Sequence, residues 1–156
     1  MKTLLVYYSR TNTTKKVGEE IAKLLKCDSE QIQDVKDRMG LVGYLRSCKE
    51  AMMKQMGEIK KTNKDPSKYD LIIVGTPVWS WNISSPVRTY LYNNKGKLKK
   101  VAFFCTMGGA GDKRAFKRME EVAGKKPKAT LSLTTKEVVQ DQHKNKVREF
   151  IKNLKL

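Results

Sequence analysis

An apolar run, Thr3-Leu4-Leu5-Val6-Tyr7-Tyr8, breaks off into Ser9-Arg10-Thr11-Asn12-Thr13-Thr14, and a helical pattern starts at once. Val17, Ile21, Leu24 and Leu25 recur at helical spacing, while Lys15, Lys16, Glu19, Glu20 and Lys23 take the other faces. A buried strand running through a hydroxyl-rich loop into a helix N-terminus constrains a chain strongly. Unpaired N–H groups and the positive end of the helix dipole face such a loop, which suits an anion. Ser, Thr and Asn also make N-caps. One residue makes a cap, however, and here five hydroxyl or amide side chains fall within six positions. Taken alone, the loop fits either a cap or a phosphate site.

The rest of the chain repeats the same alternation. A weaker strand is expected from Ser29 to Val35 around Ile32. From Gly40 to Met56 the residues Leu41, Leu45, Cys48, Met52 and Met56 fall at intervals of three and four, a helical stripe expected to pack on a sheet. A polar loop, Lys60 to Ser67, leads into Tyr69-Asp70-Leu71-Ile72-Ile73-Val74-Gly75, a near-continuous apolar run typical of a central parallel strand. Its exit, Thr76 to Pro86, reads as a loop by its prolines and holds both tryptophans, Trp79 and Trp81. Pro86 suits a helix first turn, continued by Val87, Tyr90 and Leu91 and closed by Asn93 to Gly96. The fourth strand, Val101 to Cys105, runs into Thr106-Met107-Gly108-Gly109-Ala110-Gly111-Asp112. Three glycines in four positions there permit close backbone approach and positive φ. A helix carrying Phe116, Met119 and Val122 follows to Gly124, then a fifth strand from Lys128 to Thr134 and a C-terminal helix marked by Val147, Phe150, Ile151 and Leu154.

Five β-α units imply one α/β domain over residues 1–156, a parallel sheet with helices on both faces. Ligands bind such sheets at the carboxyl ends of the strands. The three unusual loops follow strands one, three and four, so all three lie at that edge. The first offers a phosphate site, the second flat rings, the third an approachable backbone. A ligand with a phosphate at one end and a planar aromatic system at the other satisfies all three.

Other classes have less support. Cys27, Cys48 and Cys105 are widely spaced without a C-x-x-C pair, which argues against a disulfide framework or zinc and fits a reducing cytoplasm. His143 stands alone, so neither a metal site nor a histidine-based triad is expected. No apolar run is long enough to span a membrane, and the start lacks the shape of a signal peptide. The formal net charge is +17, with eleven basic and three acidic residues between Asn93 and Lys128. That surplus favours an anionic partner. No nucleic-acid reading motif accompanies it.

The three loops together resemble those of flavodoxins and the wider flavodoxin-like FMN-binding proteins, along nearly the whole chain. The first resembles the family's phosphate motif, a hydroxyl residue, any residue, Thr, Gly, any residue, Thr, with Ser9, Thr11, Asn12 and Thr14 in those places and Asn12 standing for the Gly. The run from Tyr69 to Trp79, with Pro86-Val87-Arg88 beyond, is similar to flavodoxin-family proteins of anaerobes, and Thr106 to Asp112 resembles the third flavin loop. The resemblance implies a three-layer, doubly wound, five-stranded parallel sheet of order 2-1-3-4-5 and non-covalent FMN. Its phosphate would lie over Ser9, Arg10, Thr11, Asn12, Thr13 and Thr14. The ring would lie between Pro77, Val78, Trp79, Ser80, Trp81 and Asn82 on one side and Thr106, Met107, Gly108, Gly109, Gly111 and Asp112 on the other. Trp79 or Trp81 would stack on it, with the opposite face more open because Met107 stands near the place of a stacking tyrosine. The backbone amide that meets the reduced ring would fall to Ser80 or Asn82, since no Gly follows Trp79.

The family implies an electron carrier with no side chain acting as acid, base or nucleophile, or else an FMN-dependent NAD(P)H oxidoreductase acting on quinones or similar acceptors. The basic surface points to a redox partner with an acidic face, of ferredoxin or reductase type, for a monomeric or weakly dimeric protein.

Overall fold

Period-two alternation sorts the strand residues between two helical layers. The computed structural model describes every residue except Asp37 and Lys54, and the side chain of Ala51. In chain order it forms β1 (Thr3–Tyr7), α1 (Thr13–Leu25), β2 (Asp28–Gln31), α2 (Gly40–Met52), β3 (Leu71–Trp79), β4 (Asn82–Ile83), α3 (Ser85–Asn94), β5 (Lys100–Met107), α4 (Asp112–Ala123), β6 (Pro127–Thr134), α5 (Thr135–Val139) and α6 (Lys144–Asn153).

The parallel strands lie in the order β2-β1-β3-β5-β6, and β4 pairs only with β3. With that short strand set aside, this is the expected 2-1-3-4-5 order. Leu4, Val6, Ile72, Val74, Val101 and Phe103 pack on one face against Val87, Tyr90 and Leu91 of α3 and Ala115, Met119 and Ala123 of α4. Leu5, Tyr7, Leu71, Ile73, Ala102 and Phe104 pack on the other against Val17 and Ile21 of α1 and Val147, Phe150 and Leu154 towards the C-terminus. A side chain at Gly75 would strike the Phe104 ring beside it on β5. His143, buried at the start of α6, shares a 2.7 Å hydrogen bond with Glu20 of α1.

Three expectations are corrected. β2 ends at Gln31, and beyond it the chain pairs with a different segment, Asp34 opposite Ile59. As an edge strand of mainly polar residues it has little apolar surface to extend its burial. Secondly, Thr76 to Trp79 is strand, and only Ser80-Trp81 turns. β1 pairs β3 no further than Gly75, so Pro77 sits where its missing N–H leaves no ladder bond unmade on that side. Thirdly, α2 ends at Met52, with Met53 in a turn and Lys54 outside the described residues. Its apolar stripe does not pack on the sheet: Leu41, Leu45, Met52 and Met56 are exposed, and Gly43, Ser47 and Glu50 are the buried row.

That inversion has an electrostatic cause. The buried Arg38 guanidinium pairs with Asp34 and, at 2.6 Å, with Glu50. It also donates to Ser47 Oγ at 3.3 Å and Ser85 Oγ at 3.0 Å. Glu50 accepts further from Ser85 Oγ at 2.7 Å and Lys36 Nζ at 3.1 Å. A buried charge needs its partners close. Two side chains of α2 serve this one, so its polar row turns inward.

Candidate functional site

The first loop leaves β1 at Tyr7 and enters α1 through Asn12, whose φ of 67° is left-handed, a conformation Asn tolerates better than most residues. Asn12 makes no side-chain cap bond. Lys15 N–H donates to Ser9 Oγ at 3.1 Å and Lys16 N–H to Asn12 O at 3.0 Å. The N–H groups of Thr13 and Thr14 precede the intrahelical ladder, at the positive end of the helix. The buried Thr14 hydroxyl shares a 2.7 Å hydrogen bond with Thr106 Oγ1 at the end of β5, tying the first loop to the third. Only one of those two protons lies in the shared bond, so the pair retains a further donor.

The second loop is a two-residue hairpin between β3 and β4. Ser80 and Trp81 have φ of 48° and 57°. Two positive φ values are the pattern of a type I′ turn, which favours Asn and Gly. Neither is present, and each non-Gly residue in this conformation costs about 1 kcal/mol or more. Surrounding contacts hold the turn. Arg88 donates to Asn82 Oδ1 at 3.0 Å, and Ser84 N–H donates to Thr76 Oγ1 at 3.1 Å. Gly111, at φ 107° before α4, lies so close that a Cβ there would stand 2.9 Å from the Trp81 Cα. Gly108 and Gly109 instead face open space, so of the three glycines only Gly111 makes a close approach at positive φ.

The two tryptophans differ. Trp79 is 5% exposed, edge-on to Tyr8 with ring centroids 5.6 Å apart and beneath the Arg38 guanidinium at 5.2 Å. It anchors the hairpin in the core. Burial pushes the pKa of Tyr8 beside it up to about 12. Trp81 is 60% exposed at the tip.

Arg10, Thr11, Thr13, Thr14, Pro77, Val78, Trp79, Thr106, Met107 and Gly108 line one cleft of about 230 Å³, together with Tyr44 and Thr135. It adjoins a second of about 270 Å³ walled by Val78, Ser80, Trp81, Gly108 and Gly109, with Tyr44, Cys48 and Ala110. Ser9, Asn12, Asn82, Gly111 and Asp112 line neither. Ser9 and Asn12 shape the first loop, Asn82 is buried with its side chain committed to Ile83 N–H and Arg88, and Gly111 is pressed on Trp81. Asp112 opens α4.

The sequence gives little sign of Tyr44, Cys48 and Thr135. Tyr44 reaches both clefts from α2, with the Arg10 guanidinium 5.3 Å from its ring, and its hydrogen bond with Cys48 raises its pKa. The inward turn of Ser47 and Glu50 is what leaves Tyr44 at the cleft. Thr135 donates to Met107 O at 3.2 Å. Cys105 is fully buried, and burial raises its thiol pKa, which makes it a poor nucleophile. A larger cavity of about 460 Å³, lined by lysines and asparagines, lies away from these loops and has no aromatic wall.

The donor set fits a phosphate beside a planar ring: helix N–H groups, hydroxyls and Arg10 at one end, Tyr44 and Trp81 at the other. A flavoprotein from Lactobacillus acidophilus, solved in complex with FMN, is 27% identical, covering 89% of this chain and 97% of that one with a TM-score of 0.74. The apo-form of the flavoprotein from the same organism is 30% identical over 84% of this chain and 91% of that one, TM-score 0.60. Oxidised flavodoxin 2 from Bacillus cereus shares the fold at 15% identity, with 99% and 97% of the two chains covered and a TM-score of 0.61. No curated protein sequence matches. The family profile for flavodoxin matches residues 2–154, so the chain belongs to the flavodoxin family.

Proposed function

We propose that this protein binds FMN in the joined clefts and carries electrons between redox partners. The observation that supports it is the continuity of the hydroxyl-rich N-terminus of α1 with an aromatic-walled cleft through Tyr44, Val78 and Gly108.

Thr13 and Thr14 N–H groups and the Thr11, Thr13 and Thr14 hydroxyls hold the phosphate, and Arg10 adds charge. Trp81 and Tyr44 flank the ring, each aromatic contact adding on the order of 1 kcal/mol beyond burial. Trp79 acts indirectly, by anchoring the hairpin that presents Ser80 and Trp81. Between the two residues considered for the amide beside the ring, Ser80 at the tip suits the role, because Asn82 is held in β4. The flavin supplies the redox chemistry, and the chain binds and orients it. Tyr44 and Trp81 leave the cleft open outward, as a carrier requires.

The half-exposed Tyr44 and the second cleft in front of Trp81 also favour one alternative, an NAD(P)H-dependent reductase of quinones or similar planar acceptors. Identification of the released flavin, with an anaerobic reductive titration and an NAD(P)H–quinone assay, tests both. A yellow protein that releases FMN and turns over no NAD(P)H is the expected result. A colourless protein that takes up no flavin would refute the proposal, and rapid NAD(P)H consumption with a quinone would favour the enzyme.

A further inference from the structure

Helix α2 is built inside out. Gly43, Ser47 and Glu50, at spacings of four and three, form its buried row, and Leu41, Leu45, Cys48 and Met52, at four, three and four, lie on the opposite side. Ion pairs and hydrogen bonds through Arg38 attach the helix, so its apolar row is left without a role in the fold. Leu41, Val42, Leu45, Met52, Met53 and Met56 are between 51% and 74% exposed. Scattered exposed apolar residues are ordinary, but six large ones along one helix and its exit mark an interaction surface.

We infer that this ridge is a docking face for an acidic redox protein, whose own contact surface is apolar at its centre and carboxylate-rich at its rim. The inference rests on the carrier reading and names its partner surface. Charge selects the occupant. Between Arg38 and Met56 the chain has one carboxylate, Glu50, and it is buried in the ion network. Arg46 and Lys49 stand exposed beside the ridge, with Lys36 and Arg10 nearby in the fold. A second copy would bring Arg46 and Lys49 against their own kind on a chain of net charge +17, whereas a carboxylate rim neutralises them. Position supports the same occupant. Tyr44 and Cys48 belong to this helix and line the cleft, so a protein seated on the ridge would lie beside the cleft that FMN is proposed to fill. With FMN bound, such a partner's reduced iron–sulfur cluster would give one electron to the flavin, the cluster being oxidised as the flavin is reduced.

The test uses FMN-loaded protein and a strongly acidic two-[4Fe–4S] ferredoxin as the probe. Calorimetric affinity and the stopped-flow rate of flavin reduction are measured for wild type, for Leu41→Gln/Leu45→Gln/Met52→Gln and for Arg46→Glu/Lys49→Glu. The ridge variant is expected to lose tenfold or more in affinity and rate, with FMN affinity and reduction by dithionite unchanged. The rim variant is expected to lose a similar factor at low salt and to lose most of its salt dependence. Ferredoxin affinity that is absent in the wild type, or equal in the ridge variant, overturns the inference. So does a wild-type dimer in sedimentation that the ridge variant dissolves, because a second copy then covers the ridge. Because calorimetry does not require flavin, the same affinities measured on flavin-free protein test the ridge even where flavin uptake fails and the carrier reading falls.

Discussion

Replacing Arg38 by Met probes the network that turns α2 around. Arg38 is buried against Asp34, Glu50, Ser47 and Ser85, with Trp79 beneath it. Met keeps much of the volume and removes the charge, leaving two carboxylates of which Glu50 keeps Lys36 as an ion-pair partner. Breaking a buried ion pair from one side costs about 3–5 kcal/mol. For a chain of this size that is a fall in Tm of roughly 10 °C. The pH dependence separates this cause from simple loss of packing. In the wild type, burial raises the pKa of Glu50, but hydrogen bonds from Ser85, Arg38 and Lys36 outweigh it and hold the carboxyl below its ordinary value. A depressed carboxylate contributes stability above its unfolded pKa and loses it as pH falls through the folded value. Without Arg38, Ser85 and Lys36 offset only part of the burial, so the Glu50 pKa rises from its depressed value. The penalty of Arg38→Met is therefore largest near pH 7 and shrinks as pH falls into the carboxylate range. Urea unfolding of both proteins from pH 7 to 4.5 measures it. A loss below about 1 kcal/mol at pH 7, or one independent of pH, would refute the argument. Converting Asp34, Arg38 and Glu50 together to apolar residues of similar volume should recover most of the loss, since none of the three buried charges of this network then remains.

Further tests address the loops. Thr11→Val with Thr14→Val should weaken FMN binding tenfold or more by fluorescence titration, and unchanged affinity would reduce the loop to a helix cap. Ser80→Gly should raise stability by about 1 kcal/mol by relieving the left-handed strain at the hairpin tip, seen as a higher urea midpoint. Gly111→Ala should do the reverse, by about 1–3 kcal/mol, because a Cβ at φ 107° meets the backbone of Trp81; a neutral result would show that α4 shifts freely.

Much of the fold was legible because it depends on local pattern. Continuous apolar runs at Leu71 to Val74 and Val101 to Cys105 mark central parallel strands, and the stripes of Val17 with Ile21 and of Val147 with Phe150 mark covering helices. The hydroxyl-rich loop from strand to helix was equally readable, since composition and position coincide in six residues. The Ser80-Trp81 hairpin was obscured because Pro77 signals a loop unless the end of the neighbouring strand is known. Trp79 and Trp81 have the same composition signature and opposite burial, because Trp79 ends β3 against the core and Trp81 sits in the turn beyond it.

The stripe of α2 shows most plainly where sequence reasoning stops. Apolar periodicity correctly gave a helix and correctly grouped Leu41, Leu45, Cys48 and Met52 on one side, because 3.6 residues per turn is a property of the backbone. Which side faces the sheet is decided by long-range competition. Arg38 is buried among groups from three separate segments, Asp34, Glu50 and Ser85, and turning α2 over would take Glu50 and Ser47 away from it and leave its charge short of partners. Sequence by itself determined the alternating strands and helices, the hydroxyl-rich loop ahead of α1 and the edge at which the loops converge. Tertiary structure alone decided that Trp79 is an anchor, that Tyr44 enters the cleft and that the apolar row of α2 faces outward.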